Sequence, residues 1–346
     1  MHVAVDGSPL IEQPNSPSSL HLIEWLSALH SAGAQVTLLY PQGVLPPFPT
    51  EIGTLALARR EGAWSRLRFE QRDLPRAAGE LQADLLLVGE GRAPLASPCP
   101  IVTISSMGGG PEARGLAESL AFAAGKAGSR GASAMLYPSD LGYQSGRTGY
   151  PPFVARAFKE GAPEGPEPYF LCYGFDRRDI PLILSAWTWV DGSLGDTYPL
   201  TFLGAGPMLT MEIESMAAEL AIEASVRTQP EVSFSNLPQL YGGAAAYLGT
   251  AFAADGQALR WALAAGAPVV GLKTPDFESV LGAAAYLVPP GESRMLGAAC
   301  LTVLVQERVS DPLREKGRQR ADKFTDEGVG TVLMELLKEV VKPGRG

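Results

Sequence analysis

At 346 residues, with 46% apolar and 19% charged side chains, the chain is long enough for two domains that each bury a core, and its composition excludes a disordered polypeptide. A formal charge of -9 argues against nucleic acid as a partner, because phosphate backbones require a concentrated basic surface; one local anion pocket stays open. Cys99, Cys172 and Cys300 are odd in number and far apart, which excludes a disulfide framework or zinc spacing, and no window reaches the roughly 20 apolar residues that cross a bilayer.

The chain opens with a strand-like run over residues 3–5, without the basic flank and cleavage site of a secretion signal, so the expected location is the cytoplasm. A Gly/Pro/Ser loop over 7–17 follows, then a helix over 19–31 capped by Ser18 or Ser19 and stopped by Gly33, then a strand over 36–39. Further strands are predicted at 55–58, 85–88, 101–104 and 134–136. Short β-rich runs between helical segments predict a mostly parallel sheet with helices on both faces. Residues 146–168 are rich in Gly, Pro and Glu and carry little helix or strand character, which places a domain boundary there. The α/β rhythm then restarts. Strands are predicted at 169–173, 201–203, 231–234, 245–248, 269–272 and 285–288, with helices at 180–189, 238–241 and 257–265, and residues 293–341 read as mainly helical.

Several segments of the second half carry a resemblance when taken together. Tyr169-Phe-Leu-Cys-Tyr-Gly174 is a strand ending in glycine, and Phe202-Leu-Gly-Ala-Gly-Pro207 is a strand followed by a loop of small residues. Leu263-Ala-Ala-Gly-Ala-Pro-Val-Val270, Ala284-Ala-Tyr-Leu-Val-Pro-Pro-Gly291 and the late segment from Asp311 to Phe324 follow in order. Their order and spacing resemble family 4 glycosyltransferases, and Met1-His-Val-Ala-Val-Asp-Gly-Ser-Pro-Leu10 resembles their opening strand. The resemblance implies the GT-B architecture: two doubly wound Rossmann-like α/β domains facing a cleft, over 1–155 and 156–325, with a C-terminal helix within 326–346 that crosses back to the first domain. It also implies a nucleotide-sugar donor on the second domain, an acceptor on the first, retention of anomeric configuration, and chemistry that needs neither metal nor other cofactor.

The site residues of that family are largely replaced. Aligning Gly266-Ala-Pro-Val-Val270 puts Ala253 and Trp261 where two glutamates grip the sugar and ribose hydroxyls, and neither can accept as a carboxylate does. Asp255, Gly256 and Gln257 are the neighbouring donor-site candidates, although Asp255 and Gln257 equally suit a helix start. Arg177 and Arg178 are candidates for the donor diphosphate, flanked by Asp176 and Asp179, which can hold them in surface salt bridges instead. Where many relatives place a histidine after a strand like 101–104, this chain has Ser105. Its only histidines are His2, His21 and His30, and the latter two lie on the first helix as solvated or half-buried structural groups. Ser105-Ser-Met-Gly-Gly-Gly110, before a helix expected near Pro111 or Glu112, and Gly7 after the first strand, are candidate anion or ligand turns; glycine there also serves simple chain reversal.

Two readings follow. One is a sugar transferase acting on a nucleotide sugar with impaired or altered catalysis. The other is a non-catalytic glycosyltransferase-fold protein that works in binding or assembly with a protein partner or a second copy of itself. A dinucleotide-dependent enzyme fits less well, because Gly204-Ala-Gly-Pro-Met-Leu209 holds only the start of the required glycine pattern.

Overall fold

The computed structural model describes residues 1–47, 51–107, 116–142, 144–160, 168–324 and 328–342 of the protein. They form two compact α/β units. The first contains the described residues of Met1–Pro14, Ser18–Pro151 and Glu327–Gly346; the second contains those of Asn15–Pro17 and Pro152–Asp326.

In the first unit β1 (His2–Asp6) leads through α1 (Ser8–Glu12) and α2 (Pro17–Ser31) to β2 (Gln35–Pro41) and β3 (Gly53–Leu57). Then come α3 (Ala63–Arg68), a π-helical turn over Phe69–Asp73, α4 (Leu74–Glu80), β4 (Leu85–Gly89), β5 (Ile101–Ile104), α5 (Leu116–Arg130), β6 (Ala134–Pro138) and β7 (Thr148–Tyr150). The strand order is β3-β2-β1-β4-β5-β6-β7, and every adjacent pair is parallel. All five residues of β4 are buried. A strand covered on both faces in this way reads as an unbroken apolar run, here Leu85-Leu-Leu-Val88.

The second unit repeats the plan with β8 (Tyr169–Tyr173), α6 (Ile180–Leu194), β9 (Leu200–Leu203), α7 (Pro207–Glu219), β10 (Val226–Gln229), α8 (Leu237–Gly242) and β11 (Ala244–Gly249). It continues through α9 (Gln257–Ala265), β12 (Val269–Leu272), α10 (Pro275–Leu281), β13 (Ala285–Val288), α11 (Ser293–Val305) and α12 (Glu307–Ala321). Its six parallel strands are ordered β10-β9-β8-β11-β12-β13. Phe170, Cys172, Trp187, Phe202, Val270 and Leu296 belong to its buried core. The last helix, α13 (Val329–Val341), is part of the first unit. Gly330 lets it pack tightly, since a Cβ there would stand 2.1 Å from the Ala28 carbonyl oxygen of α2, and Leu333 and Leu337 are fully buried.

In both sheets the chain winds outward from one central strand and then returns to that strand's other side. The reversals fall between β1 and β4 and between β8 and β11. Parallel α/β sheets open a crevice at the carboxyl ends of such strands.

Four local expectations differ from the structure. Within the predicted loop 7–17 lies α1, seeded by Asp6, whose Oδ1 accepts from Ser8 N (2.9 Å) and Ser8 Oγ (2.6 Å). Neither Ser18 nor Ser19 stands before α2: the helix begins at Pro17, and Ser19 Oγ donates to the Pro9 carbonyl at 2.9 Å. The strand expected at 231–234 is replaced by β10 at Val226–Gln229, a partly exposed edge strand whose Arg-Thr-Gln sequence hides its β character. The segment 146–168 contains β7, three residues with a central glycine, recognisable only by its pairing with β6. Residues 161–167 lie outside the described residues, as do Gly108–Gly110, Pro111 and Glu112. Among the described residues no helix is long and apolar enough to cross a membrane.

Candidate functional site

The crevice of the second unit is built by three turns. β8 ends at Gly174 (φ +72°) and β9 at Gly204 (φ +71°), both in the left-handed region that favours glycine. Asn15–Pro17 lies against these two turns. Tyr173 Oη donates to the Asn15 carbonyl at 3.0 Å, and Val232 N donates to Asn15 Oδ1 at 3.2 Å. A Cβ on Gly204 would meet Asn15 O at 2.6 Å, and one on Gly174 would meet Pro17 Cγ at 2.8 Å. Gly206 caps α7 and has open space around it, with no heavy atom within 4 Å of a Cβ placed there. The Met208 and Leu209 amides in the first turn of α7 have no intrahelical acceptor, which makes this end of the helix receptive to an anion.

The third turn joins β11 to α9. Ala254 (φ +50°) and Asp255 (φ +51°) both adopt left-handed backbone, followed by Gly256 (φ +80°). Each non-glycine residue in that region costs about 1–2 kcal/mol, so the turn stores strain of the kind that collects at working sites. Buried Arg260 steadies it by donating from Nη1 to the Asp255 carbonyl at 2.8 Å, and Gln257 Nε2 donates to the Phe153 carbonyl at 2.9 Å. Gln257 therefore anchors the helix start through the backbone of residue 153. Trp261 is fully buried in a ring stack, 5.5 Å from Phe158 at 5° and 6.3 Å from Tyr173 at 18°, with Tyr241 edge-on at 6.3 Å.

Arg177 and Arg178 open the β8–α6 turn. Arg178 binds Asp176 through two guanidinium nitrogens, at 3.0 and 2.9 Å, and these hydrogen bonds hold the Asp176 carboxyl below its usual range. Arg177 Nε donates to Glu212 at 2.7 Å. Their side chains are 54% and 78% exposed, so both are surface cations already engaged by carboxylates, pairs worth about 0–1 kcal/mol each.

Gly7 and Ser105 follow β1 and β5 of the first unit, strands separated by β4. Gly7 N donates to the Leu39 carbonyl at 2.8 Å, and a Cβ there would stand 2.7 Å from the Leu38 side chain, so a larger residue would have to displace Leu38 of β2. Ser105 Oγ donates to the Leu136 carbonyl at 3.1 Å and lines a cavity. Thus Asp255, Gly256 and Gln257 share one turn and Arg177 and Arg178 share another, while Gly7 and Ser105 each follow a different strand of the first unit.

Sequence reasoning missed the ionic cluster at the β1–β4 reversal. Arg92, 2% exposed, donates from Nη2 to Glu12 at 2.6 Å and lies 3.5 Å from Glu70 through Nη1; Arg59 and Arg66 complete it at 2.5 and 2.8 Å. Burial opposes ionisation of Glu12, but the charge of Arg92 and hydrogen bonds from Arg92 and Arg59 hold its carboxyl down to about 2. Burial dominates at Glu70 and pushes its carboxyl up. Three arginines and two acids scattered between residues 12 and 92 give no local signal. His21 is also a correction: it is buried rather than solvated, with Nδ1 2.8 Å from Glu24 and Nε2 accepting from the Trp25 indole at 3.2 Å, which assigns the Nδ1–H tautomer. It is a structural group.

Two doubly wound parallel sheets with reversals at β1/β4 and β8/β11 define the GT-B architecture of glycosyltransferases. Among solved structures the chain is similar to WaaG, a glycosyltransferase involved in lipopolysaccharide biosynthesis, with a TM-score of 0.76 and 15% identity over 99% of this chain and 100% of that one. It is similar to sucrose-phosphate synthase from Thermosynechococcus elongatus (TM-score 0.72, 14% identity, 98% and 99% covered). Anabaena HepE in complex with UDP-glucose is a further neighbour (TM-score 0.71, 13% identity, 98% and 100% covered). No family model and no curated protein sequence matches the chain.

Proposed function

We propose that the protein is glycosyltransferase-like and takes a nucleotide sugar on its second unit, with impaired or altered sugar transfer. The observation that carries this reading is the β8/β11 reversal, flanked by the open amide end of α7 at Gly206 and the strained 254–256 turn. The diphosphate would meet the α7 amides, and Asp255 would be the carboxylate nearest the sugar. Impairment follows from Trp261: a buried indole in a ring stack offers no acceptor for vicinal hydroxyls. Sugar transfer would need no metal, and an acceptor would use the first unit. Three free thiols, two of them buried, accord with action in the cytoplasm.

The test is calorimetric titration of the purified protein with UDP, GDP and ADP sugars, followed by assays of hydrolysis and transfer. Binding tighter than about 1 mM, weakened at least about tenfold by Gly206→Asp, which sets a carboxylate at the α7 amides, is the expected result. One other reading is a non-catalytic glycosyltransferase-fold protein used in binding or assembly, in which the engaged arginines and buried Trp261 would serve the fold alone. Absence of nucleotide binding together with a stable homo- or hetero-complex on sizing would establish that reading and overturn the first.

A further inference from the structure

The first unit contains a cavity of about 670 Å³ between α5 and the strands and turns around β6 and β7, within the size range of small-molecule sites. Its position follows from how α5 packs. A Cβ on Gly125 would lie 1.9 Å from the Gly91 carbonyl oxygen and one on Gly128 2.1 Å from that of Ala93, so these glycines press the helix onto the turn after β4. Buried Ser129 fastens it there, accepting from Gly91 N at 2.9 Å. With that face committed, the adjoining stripe of Phe122, Lys126 and Arg130, spaced four apart, lines the cavity.

The cavity's charge is opposite to the chain's. Overall the protein has 37 acidic residues against 28 basic ones. Among the described residues the cavity lining has Lys126, Arg130 and Arg147 against one carboxylate, Glu90. Arg147 Nη2 donates to Glu90 at 2.9 Å, which fixes the guanidinium and leaves its other N–H groups for a ligand. Among the described residues neither Lys126 nor Arg130 has an ion-pair partner. The Phe122 ring, 55% exposed, supplies an apolar wall beside these cations.

We infer that this cavity is a binding site for a small organic phosphate, with Lys126, Arg130 and Arg147 on the phosphate group and Phe122 against the carbon skeleton. Such an anion gains charge-assisted hydrogen bonds from ammonium and guanidinium groups already gathered around one void. The site lies wholly in the first unit and does not rest on the nucleotide-sugar reading.

Calorimetry with glucose 6-phosphate as the probe and glucose as the uncharged control tests it. The wild-type protein should bind the phosphate ester and not the free sugar, with affinity falling as salt rises. Lys126→Glu with Arg130→Glu, both on exposed positions, should weaken the probe at least about tenfold while leaving the unfolding midpoint unchanged. UDP titration of the same variant reports on the second unit alone, so loss of one affinity without the other separates the two sites. No probe binding at about 10 mM, equal binding of glucose, or unchanged affinity in the double variant would each overturn the inference.

Discussion

Around the carboxyl ends of β1 and β4 the protein carries buried Asp6, Glu70 and Arg92 with partly buried Glu12; around the matching ends of β8 and β11 it carries Tyr173, Tyr241 and Trp261. The strand winding is the same in both units, yet one reversal is filled with charge and the other with rings. Winding fixes where a crevice opens, and side chains decide what it does. A buried ion cluster loses hydration that its attractions only partly return, and its value is lost when one partner goes. A ring stack gains from burial and from contact, and offers a polar ligand little.

The largest expected effect breaks the second region. Trp261→Ala should lower the free energy of unfolding by about 5 kcal/mol, because a fully buried indole leaves a cavity among three rings; denaturant titration reads it, and a loss under about 1 kcal/mol would mean that the stack is not structural. In the first region Arg92→Met should cost about 4 kcal/mol by stranding Glu12 and Glu70. A neutral result would show the acids to be stabilised by Arg59 and Arg66 alone.

The pH dependence sharpens the contrast. The folded Glu12 carboxyl titrates near 2, below its ordinary value of 4.5, so its contribution of about 3 kcal/mol is fully present above pH 4.5 and is lost as the pH falls through 2. Glu70 is shifted the other way and works against this trend. Unfolding followed between pH 5 and 2 should therefore be less steep in Glu12→Gln than in the wild type, and identical slopes would contradict the arrangement. The smallest effect belongs to Arg177→Glu with Arg178→Glu, exposed pairs whose loss should shift stability by under about 0.5 kcal/mol; a larger change would assign them a structural role.

Most of the fold was legible because its signals are local. The run at 85–88, the Gly266 helix stop and the exact span of α9 follow from apolar period and glycine placement. The edge strands β7 and β10 escaped because pairing, not sequence, makes them strands. The candidate site was less legible for a similar reason. Asp255 and Gln257 stood out as polar residues, but the two consecutive left-handed residues Ala254 and Asp255 have no sequence mark beyond Asp255-Gly256, and nothing in Asn15 announces the hydroxyl of Tyr173. The alignment of Trp261 with a family carboxylate predicted a missing acceptor; the structure adds that the indole is part of the core.

Synthesis imposes an order on these contacts. Helix α13 completes the first unit but follows the whole second unit along the chain. At about 5–20 residues per second, the surface of α2 that Gly330 later meets waits on the order of ten seconds or more with its apolar seat uncovered, while the second unit can already close around its own rings. The first unit to emerge from the ribosome is thus the last to finish, and a nascent chain halted before residue 329 should engage chaperones through α2.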